Sequence, residues 1–175
     1  MIRMTKKVNG KLLFWEVWQE FNKDITIQHG TVGAIGEVES RRVKLFQKAE
    51  KVMEGLAQEK EQAGFQYLPE DELFQVVVQC KFDGSKNREE ILEMKDEMEY
   101  ILNEALGSTG NGACYEGSIE NGRMSIMNYV VDVEIAGRTI KEAFMKNDQF
   151  TGEWTTFYFN TEEGQEVLLD KGRKA

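Results

Sequence analysis

The reactive side chains that stand out in this chain are one histidine, His29, two cysteines, Cys80 and Cys114, and the carboxylates. A nucleophile needs a base beside it, and a single imidazole leaves few bases to choose from. Both cysteines fall inside strand-like stretches, VVVQCKF and ACYEGS, where a free thiol ordinarily serves as a small half-buried hydrophobe. Asp132 closes the apolar stretch NYVVD just ahead of a helical pattern, and this predicts a helix-capping carboxylate. Glu89, Glu90, Glu93, Asp96, Glu97 and Glu99 fall on one helix, mostly off its apolar stripe, as a solvated face. Zinc needs three or four His or Cys ligands at workable spacing, and a calcium loop needs repeated Asp or Asn around a glycine. Neither pattern occurs, so no catalytic residue, metal or cofactor is expected.

Two glycine-rich stretches could instead offer backbone N–H groups to an anion. IQHGTVGAIGEVES (27–40) spaces Gly30, Gly33 and Gly36 three apart, and LGSTGNGA (106–113) holds Gly107, Gly110 and Gly112. A phosphate loop follows a strand and opens a helix, whose N-terminal amides then face the anion. No helix begins directly after Gly36, and the second stretch ends a helix and opens a strand. The second therefore reads as a helix cap with a flexible connection, and the first as the turn of a sheet.

The elements around these residues form an α+β chain. LLFWEVWQEF (12–21) is a strand, Asn22-Lys23-Asp24 a turn, and DITIQHGTVG a second strand; a third stretch runs from Arg42 to Leu45. Trp15 and Trp18, three apart in a strand, should face opposite sides. A helix is expected from Phe46 to Gly64 on the spacing of Ala49, Val52, Met53 and Leu56. LPEDEL, with the only proline, marks the domain boundary, giving domains at 1–69 and 70–160 and a polar tail at 161–175. The second domain reads β-α-β-β-α-β, the ferredoxin-like order. Asp83-Gly84-Ser85 is its first turn, Asn87 with Glu90 a capping pair, and Asn121-Gly122 a hairpin. The aromatic strand EWTTFYFN (153–160) lacks the basic flanks of RNA-recognition modules, so core packing is its expected role.

The formal charge of −9 is divided unevenly. Residues 1–69 carry 11 Lys+Arg against 9 Asp+Glu, whereas residues 70–175 carry 11 against 22. Such asymmetry suggests two functional surfaces, one of them repelling nucleic acid. No apolar run approaches the ~20 residues that span a bilayer, so no membrane association is expected. Two isolated cysteines and no leader-like apolar segment point to a reducing, cytoplasmic setting. Oligomeric state leaves no mark in the sequence.

Residues Leu13 to Tyr67 resemble the WGR domain family. LLFWEVWQ is similar to its opening aromatic strand, HGTVGAIG (29–36) to its Trp-Gly-Arg triplet and glycine-spaced turn, and Phe46, Ala49, Leu56, Glu59-Lys60 and Gly64-Phe65 to its helix and close. The resemblance implies a small antiparallel sheet with one helix. In DNA-damage-responsive polymerases of the family the domain binds DNA ends through the tryptophan and basic residues. Here His29 and Thr31 stand at the Trp and Arg positions. Imidazole stacks with less area than indole, and threonine carries no charge for phosphate. The chain is therefore expected to be a non-enzymatic, bacterial-type interaction or regulatory protein with a protein partner. The alternative is weak DNA or RNA end binding through His29, Gly30 and Thr31 with Lys6, Lys7, Arg41, Arg42 and Lys44. A second alternative is an enzyme with a site near Asp132 and the Gly107–Gly112 loop.

Overall fold

Asn9 and Gly10 take positive φ, 49° and 78°, and close a two-residue hairpin between β1 (Ile2–Val8) and β2 (Lys11–Gln19). This is the Asn-Gly geometry that matches the twist of paired strands. The computed structural model describes residues 1–20, 24–82, 86–147, 152–160 and 163–174. The described residues form an α+β chain with two antiparallel five-stranded sheets and three α-helices. The turn residues expected at 22–23 and 83–85 lie outside the described residues.

β3 (Asp24–Thr31), β4 (Glu37–Arg42) and β5 (Gln66–Tyr67) complete the first sheet, in the order β4-β3-β2-β1-β5. Its register sets Trp15 between Met4 and His29, and Val17 between Ile2 and Ile27. Paired residues share a face, so these side chains form one apolar surface. Helix α1 (Ala49–Gln62) covers it with Ala49, Met53 and Ala57. Trp18 lies on the opposite face, as the three-residue spacing requires, and its Nε1 donates to Glu20 Oε1 at 2.7 Å. The helix is shorter at both ends than its sequence pattern, and the third strand precedes Val43 rather than running to Leu45. Val43 is buried under α1, and that ends the exposed edge strand.

The second sheet comprises β6 (Phe74–Lys81), β7 (Gly112–Glu120), β8 (Arg123–Val130), β9 (Gly152–Asn160) and β10 (Gln165–Lys174), ordered β10-β9-β6-β8-β7. Helices α2 (Arg88–Ser108) and α3 (Val133–Lys146) connect β6 to β7 and β8 to β9. The stretch after 160, expected as a polar tail, instead pairs along β9 as β10. Its alternation is broken by a bulge between Leu168 and Asp170. The bulge leaves Leu169 to pack against the core, beside Gly137 of α3.

Helix α2 opens on a full capping box. Asn87 Oδ1 accepts from the N–H groups of Glu89 and Glu90, and Asn87 N–H donates to Glu90 Oε2. Met98, Ile101, Leu102 and Leu106 recur at helical spacing and are buried against the second sheet. Burying each such side chain contributes about 1.5–3 kcal/mol. Trp154 is also fully buried, its ring 5.2 Å from that of Phe144 in an edge-on contact.

Candidate interaction surfaces

The glycine-spaced turn after β3 does bind oxygen atoms, but they belong to this chain. Gly33 N–H donates to Thr109 O at 3.0 Å, and Gly36 N–H donates to Ser108 O at 2.8 Å. Gln28 Nε2 donates to Gly107 O at 3.1 Å and to Ser108 O at 2.9 Å. A helix ends with carbonyls that lack intrahelical partners and carry partial negative charge. The first sheet supplies those partners for α2. It does so on the face opposite α1, where Phe14, Glu16 and Gln28 are buried. Gly110, at φ +60°, lies so close to Phe14 that a Cβ there would come within 2.3 Å of the ring. Gly33, at φ +88°, leaves no room for a Cβ beside Ile135 of α3. Both glycine-rich stretches thus serve one junction between the sheets. Sequence periodicity did not reveal it. The available signal was β2 itself, whose run Leu12–Val17 is too apolar for a strand covered on one face only.

Asp132 caps α3, accepting from Ile135 N–H at 2.9 Å. Its backbone is clamped to the same junction, with its N–H donating to Asn111 Oδ1 and its carbonyl accepting from Asn111 Nδ2. Burial pushes the Cys80 thiol up to about 12, and burial together with the Glu99 carboxylate pushes Cys114 up to about 11. Neither thiol is activated as a nucleophile at neutral pH. Among the described residues no three His, Cys, Asp or Glu side chains converge on a metal position. Among the described residues no helix is long and apolar enough to cross a membrane.

The eight residues of the expected nucleic-acid site are not gathered in one place. His29 is half-buried, with Nε2 3.5 Å from Glu39 Oε1, and it pairs across the ladder with Glu37. Thr31 shares a row with Leu13 and Lys6, and the Lys6 ammonium is spent on Ala63 O at the end of α1. Gly30 lies against Phe14 on the junction face. Lys7 is exposed near the β1–β2 turn. Arg41, Arg42 and Lys44 do come together, but at the far end of β4. Arg41 pairs with Ile25, four residues and about 13 Å along the strand from His29.

There they line a groove of about 620 Å³ between β4 and the start of α1, joined by Lys48 and Lys51. Among the described residues Arg41, Lys44, Lys48 and Lys51 form no ion pair; Arg42 stands 3.8 Å from Asp24. Phe46, on the groove wall, is 97% exposed and Leu45 beside it 78%. A second concavity, about 810 Å³, opens on the opposite side of the first sheet. Tyr67 of edge strand β5, Leu73 of the connecting segment, and Tyr115 and Tyr129 of the second sheet line it, with Glu70 and Asp71 at its wall. Comparison with protein-family models, with curated proteins and with solved structures returned no match.

Proposed function

We propose that this is a non-enzymatic interaction protein that holds a protein partner on the groove between β4 and α1. The observation that carries this is Phe46, almost wholly in water and set among Arg41, Lys44, Lys48 and Lys51, which form no ion pair among the described residues. An aromatic anchor ringed by polar and charged residues is the layout of an interface, with the aromatic at its centre and the charges on its rim. The partner surface should be acidic with an apolar residue at its middle. The WGR-like reading of the first half is compatible with this role. Its glycine turn is committed to the α2 carbonyls, and so it serves the scaffold rather than a ligand.

Nucleic-acid end binding is the second reading, because the same four cations would suit phosphates. Against it, His29 is flanked by Glu37 and Glu39 and lies about 13 Å from Arg41 along the strand. Fluorescence anisotropy at low salt separates the two. One probe is an end-labelled DNA duplex and the other a labelled peptide alternating Glu with Leu. The peptide is expected to bind, with Phe46→Ser and the pair Lys48→Glu, Lys51→Glu each weakening it about tenfold. Duplex binding that falls steeply with salt, with no peptide binding, would overturn the proposal.

A further inference from the structure

The crevice beside Tyr67 and the loop that carries Phe46 are chemical complements. The crevice offers three tyrosine rings, Tyr67, Tyr115 and Tyr129, together with Leu73 and the exposed carboxylates Glu70 and Asp71. Tyr115 and Tyr129 already stand edge to face at 5.3 Å, forming an aromatic wall. Arg3, the one cationic side chain on its lining, is taken up by Glu16 at 2.5 Å; the Met1 ammonium also borders the crevice. Such a site suits an apolar or aromatic group flanked by positive charge, since ring faces and carboxylates both attract cations. The segment Lys44-Leu45-Phe46-Gln47-Lys48 has that chemistry. Its phenyl ring is the most exposed of the large apolar side chains described, and a lysine stands on either side.

We infer that the Phe46 loop of one copy seats in the Tyr67 crevice of a second copy. This rests on the reading of that loop as a protein-binding surface and names the partner. The loop follows β4 and the crevice borders β5, the two edges of the first sheet, four strand spacings or roughly 19 Å apart. A single chain therefore cannot fill its own crevice. The contact is heterologous, one copy's loop against the next copy's crevice, and it builds linear chains unless the rotation closes a ring.

Sedimentation velocity over a concentration series tests this on the full chain. At about 50 mM salt the weight-average mass should rise with concentration, and at about 500 mM salt the rise should shrink. Phe46→Ser, at a fully exposed position, should lower the association constant about tenfold. Two charge reversals sharpen the test. Lys44→Glu with Lys48→Glu makes both surfaces acidic, and Glu70→Lys with Asp71→Lys makes both basic. Each double variant alone should stay monomeric, and an equimolar mixture should associate again. A wild-type chain that is monomeric throughout, or association unmoved by Phe46→Ser and by both reversals, would overturn the inference. A chain that stays monomeric yet binds the Glu-Leu peptide through Phe46 would overturn the self-association alone.

Discussion

The side-chain amide of Gln28 donates a 2.9 Å hydrogen bond to the carbonyl oxygen of Ser108, eighty residues further along the chain. With its second bond to Gly107 O, this one amide partners two carbonyls of the last turn of α2. Gln28→Ala should cost about 1 kcal/mol, because two half-buried acceptors each lose one of their two donors while Gly36 N–H and Gly110 N–H keep the other bond. Gln28→Glu should cost more, since a carboxylate cannot donate and would face the negative end of the helix dipole. Urea unfolding of the full chain measures both, and an equal effect of the two substitutions would count against the capping role.

Glycines at two positions should respond with opposite signs. Gly110→Ala meets both a left-handed φ and the Phe14 ring, so a loss of at least about 3 kcal/mol is expected. Gly55, within α1, has no atom within 4 Å of a built Cβ. Gly55→Ala should stabilise by up to about 1 kcal/mol through helix propensity alone. Thermal unfolding followed by circular dichroism distinguishes the two shifts.

Thr156 is wholly buried in the core of the second sheet, and its Oγ1 has no hydrogen-bond partner among the described residues. Thr156→Val keeps the shape and removes the unsatisfied hydroxyl. It should leave stability unchanged or raise it by about 1 kcal/mol, read from the midpoint of urea unfolding. A loss larger than that would reveal a partner for the hydroxyl.

The thiols predict an alkaline limit. Below their folded values of about 11 and 12, Cys114 and Cys80 stay neutral, whereas an unfolded thiol ionises near 9. The unfolded chain therefore sheds protons first, and stability falls as pH rises from about 9 toward 12. Each thiol contributes at most about 1.4 kcal/mol per pH unit. Cys80→Ala should flatten part of that slope. Iodoacetamide should label the half-buried Cys114 slowly at pH 8, where only about one thiol in a thousand is ionised. Fast labelling of Cys114 in the folded protein at that pH would contradict its environment.

Much of the element order could be read from local chemistry. The Asn87–Glu90 capping box and the Asn121-Gly122 turn, with φ of 51° and 73°, stand where their residue types place them. Asn9-Gly10 carried the same hairpin signal, but MIRMTKKV before it alternates too weakly to register as a strand. β10 was hidden for a different reason, since the bulge at Leu168–Asp170 makes Val167-Leu168-Leu169 an apolar cluster rather than an alternation. The site was less legible than the fold. Arg41, Arg42 and Lys44 are close in sequence and stay close in space. The separation of His29 from Arg41, and the junction between Gln28 and Ser108, depend on register and on contacts across the whole chain. One-dimensional spacing does not carry them.

The order of synthesis gives the junction a timetable. Gly33 and Gly36 are made some 70 residues before Ser108, which at ribosomal speeds of ~5–20 residues per second is about 4 to 15 seconds. During that interval the first sheet can close around α1, while the face bearing Phe14 and Gln28 waits uncovered. α2 then emerges to a dock already built. A nascent chain stalled within α2 would display that bare face, and there a chaperone would find it.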